Sequence, residues 1–324
     1  MTDDAGRSAL SYAAIGGHVS CVSMLLKLGA FVNRPDKAGR TPLFHASYYG
    51  MSSCVALLLK AGADLAHRDY LGKNVLHYSI FADDPKTTEL ILDTYKAKSW
   101  FSKLTWGKQN IWVASLDSRD EDGLTPLMWG SYLGQAEHIR LMLNKNAASI
   151  LAHDNNGLNS LHWCTKNHHA RAAKCLLSKN RKLLEGRTSK GCLAVHLAAQ
   201  EGNSLILDVL LKSNPKSANA MDQELRSPLH FASARGQVSC MSCLFKYRAD
   251  LDQQDKYGST PLHYAVQGNH VDSVQLLVKR GGALHIKDIY GRNPLLWALV
   301  EGSTFFAIIF NFNRKFGNRK DSCQ

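Results

Sequence analysis

The sequence lacks the short motifs that carry catalysis. It holds no glycine-rich phosphate loop, no H-E-x-x-H and no G-x-S-x-G. Phosphoryl transfer, zinc-dependent hydrolysis and nucleophile-elbow acyl transfer therefore have no signature here. The chain reads as a non-enzyme that calls for no cofactor and no metal. Cysteine is sparse, with eight in 324 residues. Cys240 and Cys243 form a C-x-x-C, but no second pair and no paired histidines accompany it, so a zinc site is not supported. No recognisable DNA- or RNA-binding motif is present. A leader is also missing, since residues 1–6 are polar and acidic. That places the chain on the cytosolic or nuclear side, where disulfides are rare. The most apolar stretch, Leu295 to Phe312, barely reaches the length of a membrane span and contains Glu301, Gly302, Ser303, Thr304 and Asn311. It reads as a degenerate last repeat rather than a transmembrane segment.

What the sequence has is a ruler. The tetrad Thr-Pro-Leu-His, or a close variant, returns along most of the chain. Its leucine position is filled by Leu10, Leu43, Leu76, Leu127, Leu161, Val195, Leu229, Leu262 and Leu295. Successive numbers differ by 33, 33, 51, 34, 34, 34, 33 and 33. The gap from Leu76 to Leu127 is longer by about half a repeat, and every other gap is a single structural repeat. Such a period means a stack in which each repeat contacts its neighbours and the core runs continuously along the array. A hydrophobic content of 45% suffices for that core.

Repeat eight shows the local logic. Asp255-Lys256-Tyr257-Gly258 reads as a tight turn, with glycine supplying a positive φ. Thr260 is placed as an N-cap whose hydroxyl accepts a backbone N–H, and Pro261 suits the first helical position. A short helix runs to a break at Gly268-Asn269. Val271, Val274, Leu277 and Val278 then mark a second helix. The Asp-x-x-Gly turn recurs at Asp36/Gly39, Asp69/Gly72, Asp120/Gly123, Asp154/Gly157 and Asp288/Gly291. Repeat seven has Leu225 where the turn glycine belongs, and repeat six has Thr188 and no turn aspartate. Repeat three has Asp83-Asp84-Pro85 at its helix junction. Cys21, Cys54 and Cys240 all fall eleven places after their repeat leucine, a recurring position expected to be packed, with cysteine acting as a small hydrophobe.

Together the tetrads, turns and paired helices resemble the ankyrin-repeat family over roughly residues 3–310. The fold expected is an all-α repeat solenoid of about nine repeats, helix-turn-helix with β-hairpin or turn fingers. The repeats fall near 3–35, 36–68, 69–95, 118–153, 154–187, 188–221, 222–254, 255–287 and 288–311. A basic, Trp-rich insertion occupies 96–115, and a basic tail 312–324. Neither end has the polar cap that a solenoid needs, which leads to the expectation of a fragment or a mis-spliced product. The resemblance implies that His77, His162, His196, His230 and His263, one residue after the repeat leucine, make structural hydrogen bonds rather than a metal site. It also implies a function of binding partner proteins.

Within the family, repeats seven to nine resemble the arrays of inversin-type scaffolds of the ciliary base. The carriers are residues 222–230 with their glycine-less turn, residues 258–265, and residues 291–298 with Trp297 two places after the leucine. Trp129 and Trp163 fill the same slot. The insertion departs from that pattern.

The candidate partner face follows from counting slots. Turn tips supply Tyr70, Tyr257 and Tyr290, and the residue after the turn glycine supplies Arg40, Lys73 and Arg292. Positions five and six after the leucine supply Tyr48, Tyr49, Tyr132 and Arg235. Tyrosine and arginine are enriched at interface hot spots. The net charge of +12 is confined to three segments: +7 in residues 166–190, +2 in 93–117 and +3 in 312–324. Lys174, Lys179, Arg181 and Lys182 form a candidate basic patch for an acidic partner, anionic lipid or nucleic acid. The insertion carries Trp100, Trp106 and Trp112 with four lysines and no acid between 96 and 112, which fits an ordered loop or a partner- or membrane-docking segment.

The reading is a cytoplasmic scaffold, ciliary by resemblance. Two alternatives stand beside it: the substrate-recruiting or regulatory portion of a larger enzyme or channel, and a basic adaptor for anionic membrane or nucleic acid. Nucleic acid is disfavoured for want of a motif. Peripheral membrane contact, partner identity and oligomeric state are left open.

Overall fold

The computed structural model describes residues 2–102, 117–145 and 149–300. Most of the insertion (103–116), residues 301–311 with the expected second helix of repeat nine, and the basic tail lie outside the described residues. The chain divides into two compact units, Met1–Leu183 and Leu184–Gln324. Both are all-α solenoid stacks.

In the N-terminal unit the repeats contribute helix pairs α1 (Ala9–Ile15) and α2 (Val19–Lys27), then α3 (Pro42–Tyr48) and α4 (Ser52–Lys60). Next come α5 (Val75–Ser79) and α6 (Lys86–Ser102), then α7 (Pro126–Leu133) and α8 (Ala136–Asn144). The last pair is α9 (Ser160–Lys166) and α10 (Ala170–Lys179). First helices pack on first helices of the next repeat, and second helices on second helices. The C-terminal unit repeats the scheme with α11 (Ala194–Gln200), α12 (Ser204–Ser213), α13 (Pro228–Ala234), α14 (Val238–Lys246), α15 (Pro261–Gln267), α16 (Val271–Lys279) and α17 (Pro294–Val300).

Each first helix starts at its tetrad, with proline at the first helical position in α3, α7, α13 and α15. Proline loses nothing there, because the first turn has no use for its N–H. The repeat leucines Leu10, Leu43, Leu76, Leu127, Leu161, Leu229 and Leu262 are buried with the small residues of the first helices, such as Ala46, Ala198 and Ala232. Small side chains let neighbouring helices approach closely.

The fingers are tight turns rather than strands. Only isolated bridges, Thr2 to Ser8 and His153 to Asn159, occur among the described residues. Gly39 illustrates the turn requirement: its φ is +82°, and a Cβ there would sit 3.0 Å from the Tyr70 backbone nitrogen of the next finger. Leu225 adopts φ +62° at the corresponding place in repeat seven, so the turn is kept without glycine.

Two expectations change, and a third gains a detail. The insertion does not begin as a loop, because α6 continues through Ser102. Thr260 is the N-cap of α15, as expected, in a capping box with His263; its hydroxyl also lies 2.9 Å from His263 Nδ1, the ring nitrogen that accepts the Thr260 N–H. Cys54 and Cys240 are buried as expected, but Cys21 is exposed. The position faces backward: the Cys240 thiol lies 3.7 Å from the Ala198 carbonyl of the preceding repeat. Among the described residues no repeat precedes Cys21.

Candidate functional site

The site is built on a repeated pair nine residues apart. In each finger that has a turn aspartate, the aspartate turns inward and accepts backbone N–H groups; Asp69 Oδ1, for instance, accepts from Leu71 and Lys73. Its second oxygen is left for a side chain two residues after the repeat leucine. Tyr78 Oη donates to Asp69 at 2.6 Å, Trp129 Nε1 to Asp120 at 2.7 Å and Trp163 Nε1 to Asp154 at 3.1 Å. Tyr12 with Asp3, Tyr264 with Asp255 and Trp297 with Asp288 do the same at 2.8, 2.7 and 2.9 Å. His45 Nε2 lies 3.1 Å from Asp36. The carboxylates gain from this. Burial opposes the charge on Asp36, but backbone donors and Arg40 outweigh it and lower the pKa. Burial and the Asp69 charge raise the Tyr78 phenol and keep it protonated as a donor.

The tetrad histidines fix the register between repeats. Asn74 N–H donates to His77 Nδ1 at 3.1 Å, and His77 Nε2 reaches the Leu124 carbonyl of the next repeat at 3.1 Å. His230 and His263 make the same bridge to the Ser259 and Arg292 carbonyls, each at 3.1 Å. Accepting at Nδ1 requires the neutral ring with its proton on Nε2. Burial enforces that form, lowering His77, His196 and His230 to about 4. These histidines are structural, as the family resemblance implied.

On the first helices of the N-terminal unit, rings two and five places after the leucine lie on one face, because three residues separate them. They join into a strip. Tyr49 meets Tyr48 at 5.0 Å between centroids, and Tyr48 meets Phe81 at 5.2 Å. Phe81 to Trp129, Trp129 to Tyr132 and Tyr132 to Trp163 are each 5.5 Å. Offset and edge-on pairs of this kind contribute about 0.5–1.5 kcal/mol each beyond burial, so the strip is held rigid by itself. Tyr48, Tyr49 and Tyr132 are 39%, 51% and 40% exposed; Phe81, Trp129 and Trp163 are half-buried. Two ammonium groups sit on it: Lys73 Nζ is 4.2 Å from the Trp129 centroid and Lys166 Nζ is 5.4 Å from that of Trp163.

Tyr48, Tyr49, Lys73 and Tyr132, all named from the sequence, thus come together. Arg40 does not join them, because its Nε and Nη2 hold Asp36 Oδ2 at 3.0 Å. Tyr70 is exposed at its fingertip, apart from the strip. In the C-terminal unit Tyr257, Tyr290 and Arg292 line a cleft of about 280 Å³ with Tyr264 and Trp297. There Arg292 also holds Asp288 and lies 4.6 Å from the Tyr290 centroid. Arg235 is exposed and does not line that cleft.

Lys174 and Lys179 on α10, and Arg181 and Lys182 on the 3-10 turn Arg181–Glu185, are exposed, with no ion pair to any of them among the described residues. Their neighbour Arg171 is bound to Glu137 at 2.8 Å. Arg187 belongs to the fold: it donates to the Gly191 and Met221 carbonyls at 2.7 and 2.8 Å. Cys240 and Cys243 are both buried on α14, and burial pushes the Cys240 thiol up to about 12, the inert rather than the ligating form.

Sequence reasoning missed Phe81, Trp129 and Trp163 as members of the site. Their signal was present as pairs three residues apart, Tyr78/Phe81, Trp129/Tyr132 and Trp163/Lys166, in consecutive repeats.

With this geometry in place the relationship to known proteins is plain. The family described as ankyrin repeats (3 copies) matches residues 1–69, 76–187, 195–288 and 244–315. The chain belongs to the ankyrin-repeat family, whose repeats are generally protein–protein interaction modules. No curated protein matches the chain. No helix among the described residues is long and apolar enough to cross a membrane.

Proposed function

We propose that this chain is a non-enzymatic scaffold that binds a partner protein across the aromatic strip of its N-terminal unit. The observation that supports it most is the strip itself: six rings from four consecutive repeats in one unbroken series, three of them substantially exposed. Pre-ordered aromatic side chains lose little entropy on binding, which is why such residues dominate interface energetics. The likeness of repeats seven to nine to inversin-type arrays extends the proposal to the ciliary base. Substrate recruitment for a larger enzyme or channel would use the same surface. The basic patch at Lys174, Lys179, Arg181 and Lys182 is proposed as a second, acidic contact of the same partner.

The test is a pull-down from ciliated-cell lysate with the full chain, against the same chain carrying Tyr48, Tyr49 and Tyr132 changed to Ala. Circular dichroism first establishes that both baits are folded. Discrete proteins retained by the first and lost with the second are expected. Equal recovery by both would overturn the strip as the docking face. Recovery that depends on Lys179, Arg181 and Lys182 and collapses with salt would favour the basic adaptor instead.

A further inference from the structure

We infer that repeat one carries a membrane-contact surface, in which Leu28 and Phe31 enter the interface of an anionic phospholipid bilayer while Lys27, Arg34 and Lys60 meet its headgroups.

The signal is a break in the repeat pattern. Leu28 and Phe31 stand eighteen and twenty-one places after the repeat leucine Leu10. In four other repeats the slot of Phe31 holds an exposed, charged residue: Asp64, Lys182, Lys216 or Asp250. The slot of Leu28 holds exposed Ala61, Lys179 and Arg280 in its counterparts. Repeat one fills both slots with large apolar side chains, each 77% exposed. That exposure belongs to the slots themselves, because Ala61, Asp64, Asp250 and Arg280 are exposed although another repeat packs in front of each. Apolar side chains scattered singly over a surface are ordinary. These two share one loop, and Phe31 borders an open depression of about 690 Å³ floored by Gly29, Ala30, Val32, Ala61 and Gly62.

Charge gives the apolar surface its setting. Lys27 and Lys60 are the last residues of α2 and α4, at matching places in neighbouring repeats. Arg34 lines the depression, and no carboxylate does. Among the described residues Lys27, Arg34 and Lys60 form no ion pair. The exposed acid of this edge is Asp64, so three cations face one carboxylate. Peripheral membrane binding grows with the apolar area inserted and with attraction to anionic lipid, and the two act together.

A protein partner is the competing occupant. Specific protein interfaces carry about one hydrogen bond per 100–200 Å². The one side-chain amide of this loop is already spent: Asn33 Nδ2 donates to the Gly62 carbonyl at 3.4 Å, and its Oδ1 accepts the Asp64 N–H at 2.9 Å. What remains is projecting apolar side chains and long-stemmed cations, which a fluid interface accepts without matched shape or directional bonds. A nucleic acid would use the cations and leave Leu28 in water.

The experiment sediments the full chain with vesicles of phosphatidylcholine containing about one-quarter phosphatidylserine, and with vesicles of phosphatidylcholine alone. Binding to the anionic vesicles that weakens with added salt is expected, with much less to the neutral ones. Leu28→Ala with Phe31→Asp gives repeat one the residues of repeat two, and circular dichroism checks that the variant is folded. It should lower binding to the anionic vesicles about tenfold or more. K27E/K60E should lower the same binding more than tenfold, at about fivefold per lysine from charge removal alone. Tyr48, Tyr49 and Tyr132 changed to Ala should bind vesicles as the wild type does, which keeps this surface distinct from the aromatic strip. No vesicle binding, equal binding to both vesicles, or undiminished binding by the Leu28/Phe31 variant would each overturn the inference. Without vesicle binding, a captured protein or a self-association in sedimentation that the Leu28/Phe31 variant loses would assign the surface to a partner or to a second copy instead.

Discussion

Arg226 holds Asp222 with two donors, Nε at 2.9 Å and Nη2 at 2.7 Å, in the finger whose ring slot is filled by Phe231. In every other described finger with a turn aspartate, a tyrosine, tryptophan or histidine occupies that slot and reaches the carboxylate. Phenylalanine has no donor, so here the guanidinium, which in the fingers of Asp3, Asp36 and Asp288 holds the carboxylate beside a ring donor, does so without one; it lies 4.9 Å from the Phe231 ring centroid as well. The rule behind both arrangements is that a buried carboxylate must be hydrogen-bonded.

A prediction follows from that substitution of roles. Arg226→Ala should destabilise the C-terminal unit by roughly 1–3 kcal/mol, because Asp222 Oδ2 is left buried with only the weak Cys192 thiol donor at 3.9 Å. Adding Phe231→Tyr restores the donor used elsewhere and should recover part of the loss. Chemical denaturation of the single and double variants measures it. If the double variant is no more stable than Arg226→Ala alone, the ring slot does not exist to serve the aspartate.

Leu262 tests the core between repeats. It is 1% exposed, at the start of α15. Leu262→Ala should cost roughly 2–5 kcal/mol, combining lost transfer energy with the cavity left behind. Tyr49→Ala, which removes the single ring pair at the end of the strip, should cost only about 0.5–1.5 kcal/mol by comparison. A midpoint shift from Tyr49→Ala as large as that from Leu262→Ala would make the strip part of the core rather than a surface.

The fold was legible because a repeat multiplies every local signal. Pro261 and Leu262 say little alone, but the same residues recurring at a constant interval define register, helix starts and core at once. The tetrad histidines were legible for the same reason. The strip was only half legible. Tyr48 and Tyr132 were found by counting slots, but Phe81 and Trp129 touch across the one long gap, from Leu76 to Leu127, where the ruler skips. Trp129, Trp163 and Trp297 were read as a mark of resemblance, although the nine-residue spacing to Asp120, Asp154 and Asp288 states their role. Cys21 was misread because a repeated position is buried only when a neighbouring repeat covers it.

Leu225 carries backbone strain at a finger tip. Its φ of +62° belongs to the left-handed region, where a side chain costs roughly 1–2 kcal/mol, and it is 47% exposed, so little burial offsets the cost. Leu225→Gly relieves that strain while adding freedom to the unfolded chain, which returns about 0.5–1 kcal/mol. The net expectation is a gain of up to about 1 kcal/mol, read as a higher thermal midpoint. A lower midpoint would mean that the leucine makes a stabilising contact its exposure does not reveal.

Acid should unlock the register between repeats before it titrates the finger carboxylates. His77, His196 and His230 are held near 4 in the folded chain by burial, against 6.5 when unfolded. Between those values the unfolded chain binds protons that the folded chain refuses. Stability is therefore fully present above about pH 6.5 and falls as the pH drops towards 4. From pH 7 to pH 5 each should contribute roughly 1–2 kcal/mol of loss. Asp36 and Asp222 have lowered values, so the stability they contribute is lost only at more acid pH, and the two sets separate. Urea midpoints at pH 7, 6 and 5 make the measurement. His230→Gln should lower the midpoint at pH 7, through the lost bridge to the Ser259 carbonyl, yet flatten the decline towards pH 5. A wild-type midpoint that does not move between pH 7 and 5 would show that the tetrad histidines accept a proton in place, and the assignment of a neutral Nε2–H ring would be wrong.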